Sequence, residues 1–131
     1  MIALDTNILV RFLTGDNVTQ AHKVYQLFKQ TEIERTELYI PILVVIELVW
    51  VLDSIYKFER PSLIKMLENL TLMPIFKFEN LSAVQSVVQK AKVTNFDLSD
   101  LLIAYSVRTS RIESILTFDK KAAKHKLFEL L

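Results

Sequence analysis

The chain has 131 residues, of which 51% are hydrophobic and 24% charged. That balance predicts one compact domain over residues 1–131 and argues against disorder. The net charge of +1 neither favours nor excludes a nucleic-acid partner, since a near-neutral total can hide a segregated one. The absence of cysteine excludes disulfides and thiolate metal sites, and His22 and His125 are too few for a His-rich one.

The opening "MIAL" reads as a short strand. It stops on Asp5-Thr6-Asn7 with no Gly or Pro to turn the chain, and "NILVRFL" begins a helix at once. The strand has no basic leader and is cut by Asp5, so no export signal is expected and a cytoplasmic location is. Apolar residues at 18, 21, 24, 25 and 28 predict a second helix. "LYI" at 38–40 predicts a strand. The apolar stretch from Leu38 to Leu52 falls short of the roughly 20 residues a membrane span needs and carries Glu47. It is read as core, with a helix after Pro41.

Leu63, Met66, Leu67 and Leu70 predict a helix that starts after Pro61, a residue suited to a first turn. "MPIFKF" at 73–78 and "SILTF" at 114–118 read as strands. Leu81, Val84, Val87, Val88 and Ala91 mark one helix between them, and Leu98, Leu101, Leu102 and Tyr105 mark another. "KKAAKHK" after Asp119 reads as a small helix. Strands alternating with helices predict an α/β domain with a short, mainly parallel sheet.

In such a sheet, chemistry gathers beyond the carboxyl ends of the strands. Asp5 follows the first strand, and Asp119 follows "SILTF" in the same way. Either residue serves equally as a helix N-cap, because a carboxylate accepts from free backbone N–H groups there. Thr6 is able to cap as well, which would release Asp5. Glu47 is the one acidic or basic residue from Leu38 to Leu52, so it is expected to be buried and to need a cation as partner. In "NFDLSDLLIAYS", Asp97 reads as N-cap and Asp100 as the acid that opens a buried helix. Acids gathered in one cleft repel each other, and a divalent cation is the ordinary means of holding them ionised. Oxygen ligands favour Mg²⁺ or Mn²⁺.

"LDTNILVRFL", Glu47 in a helix, "FDLSDLLIAYS" and "LTFDKK", in that order, resemble the PIN-domain ribonucleases. More narrowly they resemble the VapC-type toxins of toxin–antitoxin pairs. The resemblance covers essentially the whole chain. It implies a PIN-like fold and Mg²⁺- or Mn²⁺-dependent cleavage of RNA by a homodimer that an antitoxin covers. Asp5, Glu47, Asp100 and Asp119 would be the acidic quartet that is catalytic and binds metal. Thr6 and Asn7 would support the site, and Asp97 matches a further acid just before the third motif acid. Family members often have glycine in the turn before the fourth motif, where this chain has "SRIES".

RNA phosphates would lie near Lys120, Lys121, Lys124, His125 and Lys126, with Arg11, Arg108 and Arg111 as further contacts. A Lys-rich last helix is as often simply a solvated face, and His125 reads as structural. An aspartate-nucleophile phosphohydrolase would want Asp-x-Asp, but the third position is Asn7. A receiver domain would want paired acids at the first strand, where Asp5 stands alone. The remaining alternative is a non-catalytic PIN-like module that binds RNA or protein. Phe12, Tyr25, Phe28, Trp50, Tyr56 and Phe58 are expected mostly in the core, some at an interface.

Overall fold

In the computed structural model, residues 1–108 and 110–131 are described, and the chain falls into two compact units, residues 1–81 and 82–131.

The first unit opens with strand β1 (Ile2–Ala3), followed by helices α1 (Thr6–Thr14) and α2 (Val18–Glu34) and strand β2 (Leu38–Ile40). Helices α3 (Ile42–Ser54) and α4 (Arg60–Thr71) then lead to strand β3 (Phe76–Phe78). The strands form a parallel sheet in the order β1-β2-β3, with Ile2 opposite Leu38 and Leu38 opposite Phe76. Each parallel pair needs a crossover, and the two helix pairs supply them.

Local chemistry sets the helix ends. α1 closes on Gly15 at φ 63°, the left-handed conformation that glycine adopts without a Cβ penalty, and its N–H bonds to the Arg11 carbonyl at 3.0 Å. Asn17 caps α2 by accepting from the Gln20 N–H at 3.0 Å. Pro41 sits extended ahead of α3, and Pro61 lies in the first turn of α4, as its fixed φ favours. Val45, Leu48, Val49 and Leu52 form the buried stripe of α3. Phe28 lies edge-on to Phe12 and to Phe76, with ring centroids 4.9 and 5.2 Å away. Tyr25 and Trp50, two of the aromatics expected mostly inside, are more than half exposed.

The second unit holds helix α5, which begins at its boundary (Leu81–Val93), helix α6 (Leu98–Ser106) and strands β4 (Ile115–Thr117) and β5 (Phe128–Leu130). β4 and β5 are parallel, Ile115 opposite Phe128 and Thr117 opposite Leu130. α5 buries Ala83, Val84, Val87, Val88 and Ala91, the stripe its periodicity predicts. A small core joins Ala104, Ala122 and Phe128, with Ile115 and Leu127 packed against it.

Two features depart from the sequence reading. The small helix expected after Asp119 is a single 3₁₀ turn, Ala122–Lys124, which ends where His125 becomes extended at φ −78°, ψ 135°. His125 leaves the turn because its ring is buried among Phe96, Tyr105 and Phe128, with centroids 5.3–6.1 Å away. Strand β5 has no counterpart in the reading, because three residues at a chain end carry too little pattern to register.

Candidate active site

The candidate residues of the first unit are Asp5, Thr6, Asn7 and Glu47. Asp5 is the N-cap of α1: its Oδ1 accepts from the Thr6 N–H at 2.8 Å. Thr6, read from sequence as an alternative cap, is instead buried and forms the first residue of the helix. Asp5 therefore gives one oxygen to the backbone and keeps the other exposed beyond the strand end. Asn7 is exposed on the next residue of the helix.

Glu47 corrects an expectation. It is exposed, not buried. α3 is apolar on nearly every face, so the sequence hides which side turns outward. The buried stripe at Val45, Leu48, Val49 and Leu52 puts Glu47 on the open side with Leu43 and Trp50, which are 74% and 56% exposed. Its charge is met by water and needs no buried counter-ion.

Arg11 lies in the last turn of α1, where its charge suits the helix dipole. Its Nε donates to Gln20 Oε1 at 2.7 Å, and its Nη1 contacts Asp16 Oδ1 at 3.2 Å and Tyr56 Oη at 3.3 Å. Tyr56 Oη in turn donates to Asp16 at 2.5 Å. The bond from Tyr56, then the bond from Thr14, and in smaller part the Arg11 charge hold the Asp16 carboxyl below its ordinary range. Arg11 is thus engaged within its own unit.

The second unit carries the remaining acids. Asp97 caps α6, its Oδ1 accepting from the N–H groups of Ser99 (2.9 Å) and Asp100 (3.3 Å). Asp119 holds the turn ahead of the 3₁₀ segment in a similar way, its Oδ1 accepting from the N–H groups of Lys121 at 2.8 Å and Ala122 at 3.1 Å. Asp100, in the first turn of α6, is half-buried. Burial raises its carboxyl above the ordinary range. The charges of Asp97 and Asp119 add to that, and Lys121 opposes it. Lys120, Lys121 and Lys124 are arrayed around this turn, and all three are exposed.

Asp97 and Asp119 stand within electrostatic range of Asp100 but not as a finished ligand set. Within neither unit, among the described residues, do three or more acids or histidines group closely enough to hold a metal ion by themselves. The donor chemistry nonetheless suits a hard cation. Every candidate ligand is a carboxylate oxygen, and crowded negative charge at Asp100 is what such an ion relieves.

Comparison with known proteins assigns the class. The chain belongs to the PIN-domain family, whose description, PIN domain, matches residues 2–126. It is also similar to a VapC ribonuclease of Aquifex aeolicus (strain VF5), at 24% identity over 124 residues. That alignment covers 95% of this chain and 91% of the relative. No solved structure matches it significantly. The resemblance carried by the four sequence motifs agrees with both matches, and the helices with short parallel sheets agree with the expected α/β class. Among the described residues, no helix is long and apolar enough to cross a membrane.

Proposed function

We propose that this chain is a metal-dependent endoribonuclease that hydrolyses RNA phosphodiesters, the toxin component of a toxin–antitoxin pair. The observation that carries the reading is Asp100, an acid raised by burial and by two neighbouring carboxylates, in a chain whose family match spans nearly its whole length. The similarity to a VapC ribonuclease supports the substrate and the reaction. The reading takes residues 1–131 as a single PIN-like domain.

In this proposal Asp5 and Asp100 are the principal ligands of Mg²⁺ or Mn²⁺, and Glu47 and Asp119 complete the set or act through water. The bound ion supplies a more acidic water and neutralises charge at the phosphate. The chain's own residues hold that arrangement in place. Backbone N–H groups fix Asp5 and Asp119 through one oxygen each, so their remaining oxygens are pre-positioned. Asp97 fixes the start of α6, which carries Asp100. Thr6 and Asn7 support the first acid. Lys120, Lys121 and Lys124 hold the RNA backbone by charge without reading its sequence. Arg11 remains a phosphate contact in this reading only where RNA displaces Asp16 from it.

The proposed partners are an antitoxin protein and a second copy of the chain. The exposed Leu43 and Trp50 on α3 support a protein contact there.

The test is cleavage of total RNA with Mg²⁺ or Mn²⁺ and with chelator, for the parent, Asp5→Asn and Asp100→Asn. Asparagine keeps the helix cap at position 5 and removes the charge, so a loss of cutting reports chemistry and not unfolding. Cleavage by the parent that stops in both variants and with chelator is the expected result. Cutting that persists in both variants would sink the proposal. A folded, metal-loaded parent that leaves all RNA intact would favour the non-catalytic binding module.

A further inference from the structure

Away from the acids, the second unit has a pocket of about 290 Å³ lined by Ala104, Tyr105, Arg108, His125, Lys126 and Leu127. No carboxylate lines it. The guanidinium carbon of Arg108 lies over the Tyr105 ring, 5.6 Å from its centre, so a cation already sits over an aromatic face. Tyr105 is held edge-on to His125 at 6.1 Å. His125 is buried, and its Nδ1 accepts from the Leu127 N–H at 3.2 Å, so the neutral ring carries its proton on Nε2. Among the described residues, neither Arg108 nor Lys126 has an acidic partner. Arg108 and Tyr105 also border a second pocket, of about 480 Å³, with Gln85, Gln89 and Lys90 of α5.

Two unpaired cations beside a Tyr–Arg cation–π pair, with Leu127 as a partly exposed apolar wall, suit a flat ring that bears a phosphate. An acidic peptide would satisfy the cations but offers no π face to the guanidinium and the phenol. Bases of single-stranded RNA stack on aromatic and guanidinium planes in this manner, while lysine and arginine take the phosphates. Tyr105 is five residues beyond Asp100 on α6, a rise of about 8 Å.

We propose that this pocket binds one nucleotide, its base against Tyr105 and Arg108 and its phosphate against Arg108 and Lys126. The inference rests on the ribonuclease reading only for its source, a nucleotide of the RNA strand. A free mononucleotide shares the same chemistry.

The test is binding of fluorescein-labelled penta-adenylate to the full chain in chelator, where cleavage is not required. Arg108→Ala and Tyr105→Leu should each weaken binding roughly tenfold, and Tyr105→Phe, which keeps the ring, should bind as the parent does. Arg108→Lys should fall between parent and Arg108→Ala, because it keeps the charge and loses the plane. If Tyr105→Leu fails to fold, the two Arg108 variants decide. Competition by adenosine monophosphate that Arg108→Ala abolishes would assign the site to free mononucleotides. RNA binding that is sensitive to the variants but not to the monophosphate would assign it to a strand. Equal binding by parent, Arg108→Ala and Tyr105→Leu would overturn the proposal, as would displacement of the RNA by octaglutamate at equal concentration. A parent that binds with these sensitivities yet never cuts RNA defeats the ribonuclease reading alone. One that cuts while the variants bind normally defeats the pocket alone.

Discussion

Burial and the charges of Asp97 and Asp119 oppose ionisation of Asp100, so Asp100→Asn relieves the metal-free protein of repulsion while it removes a proposed ligand. The folded carboxyl lies above its ordinary value of 3.8, so the destabilisation is absent below that value and complete once pH has passed the raised one. At neutral pH and in chelator, the variant should melt above the parent by no more than about 4 °C, since the group is partly solvated. With Mg²⁺ the order should reverse, because binding adds stability only where the ligand remains. Thermal melts with and without Mg²⁺ check both signs.

His125 offers an opposite case at the same scale. Burial, and then the charges of Lys90 and Lys126, lower its imidazole below the ordinary 6.5. Its neutral ring lies among Phe96, Tyr105 and Phe128, with Lys90 and Lys126 the charged groups that bear on it. A lowered histidine contributes stability that is present above 6.5 and lost as pH falls toward the folded value. Melting temperature should therefore drop as pH falls from about 7.5 through about 6 in the parent, and His125→Phe should flatten that slope.

At the scale of elements, Asp5 caps α1 and, in the proposed site, also brings a charge to the metal ion. Asp5→Ala should lose the cap as well as the charge, costing about 1 kcal/mol, whereas Asp5→Asn should unfold at the parent's denaturant midpoint. The helices themselves were legible wherever one face is apolar and the other polar: the stripes at Val84, Val87 and Val88 and at Leu63 and Leu67 are buried as their spacing predicts. α3 was legible as a helix but not in orientation. With Leu43, Val44, Ile46, Val51 and Trp50 all apolar, periodicity could not say that Glu47 faces water. The short turn after Asp119 was misread because "KKAAKHK" has good helix formers, and the pull of the buried His125 ring lies outside local pattern. The positions of Asp5, Asp97 and Asp119 at strand and helix ends were legible. Which of them spends an oxygen as a cap was not, since Asp5 and Thr6 compete for that role on equal terms in sequence.

At the scale of the whole molecule, the family match runs through residues 2–126 and so through both compact units. If the chain acts as the single domain proposed, calorimetry should give one transition whose calorimetric and van't Hoff enthalpies agree. Two separate transitions would mean that each half carries its own fold, and that the acids of the two halves are not obliged to work together. A protein contact at Leu43 and Trp50 would add a concentration dependence to the melting temperature.

In the proposed site, the backbone bonds at Asp5 and Asp119 also bias how many teeth each carboxylate presents. With Oδ1 already accepting from backbone N–H groups, the freer oxygen of each is Oδ2, which favours one-toothed binding of an incoming ion. A single-toothed acid suits a small octahedral ion that keeps much of its water, whereas Ca²⁺ seeks more oxygens and often both from one carboxylate. The turns that start these helices would thereby act as a size filter. In the proposed site, calcium should be a poorer substitute for magnesium in RNA cleavage, for a reason that lies in backbone geometry and not in the number of acids.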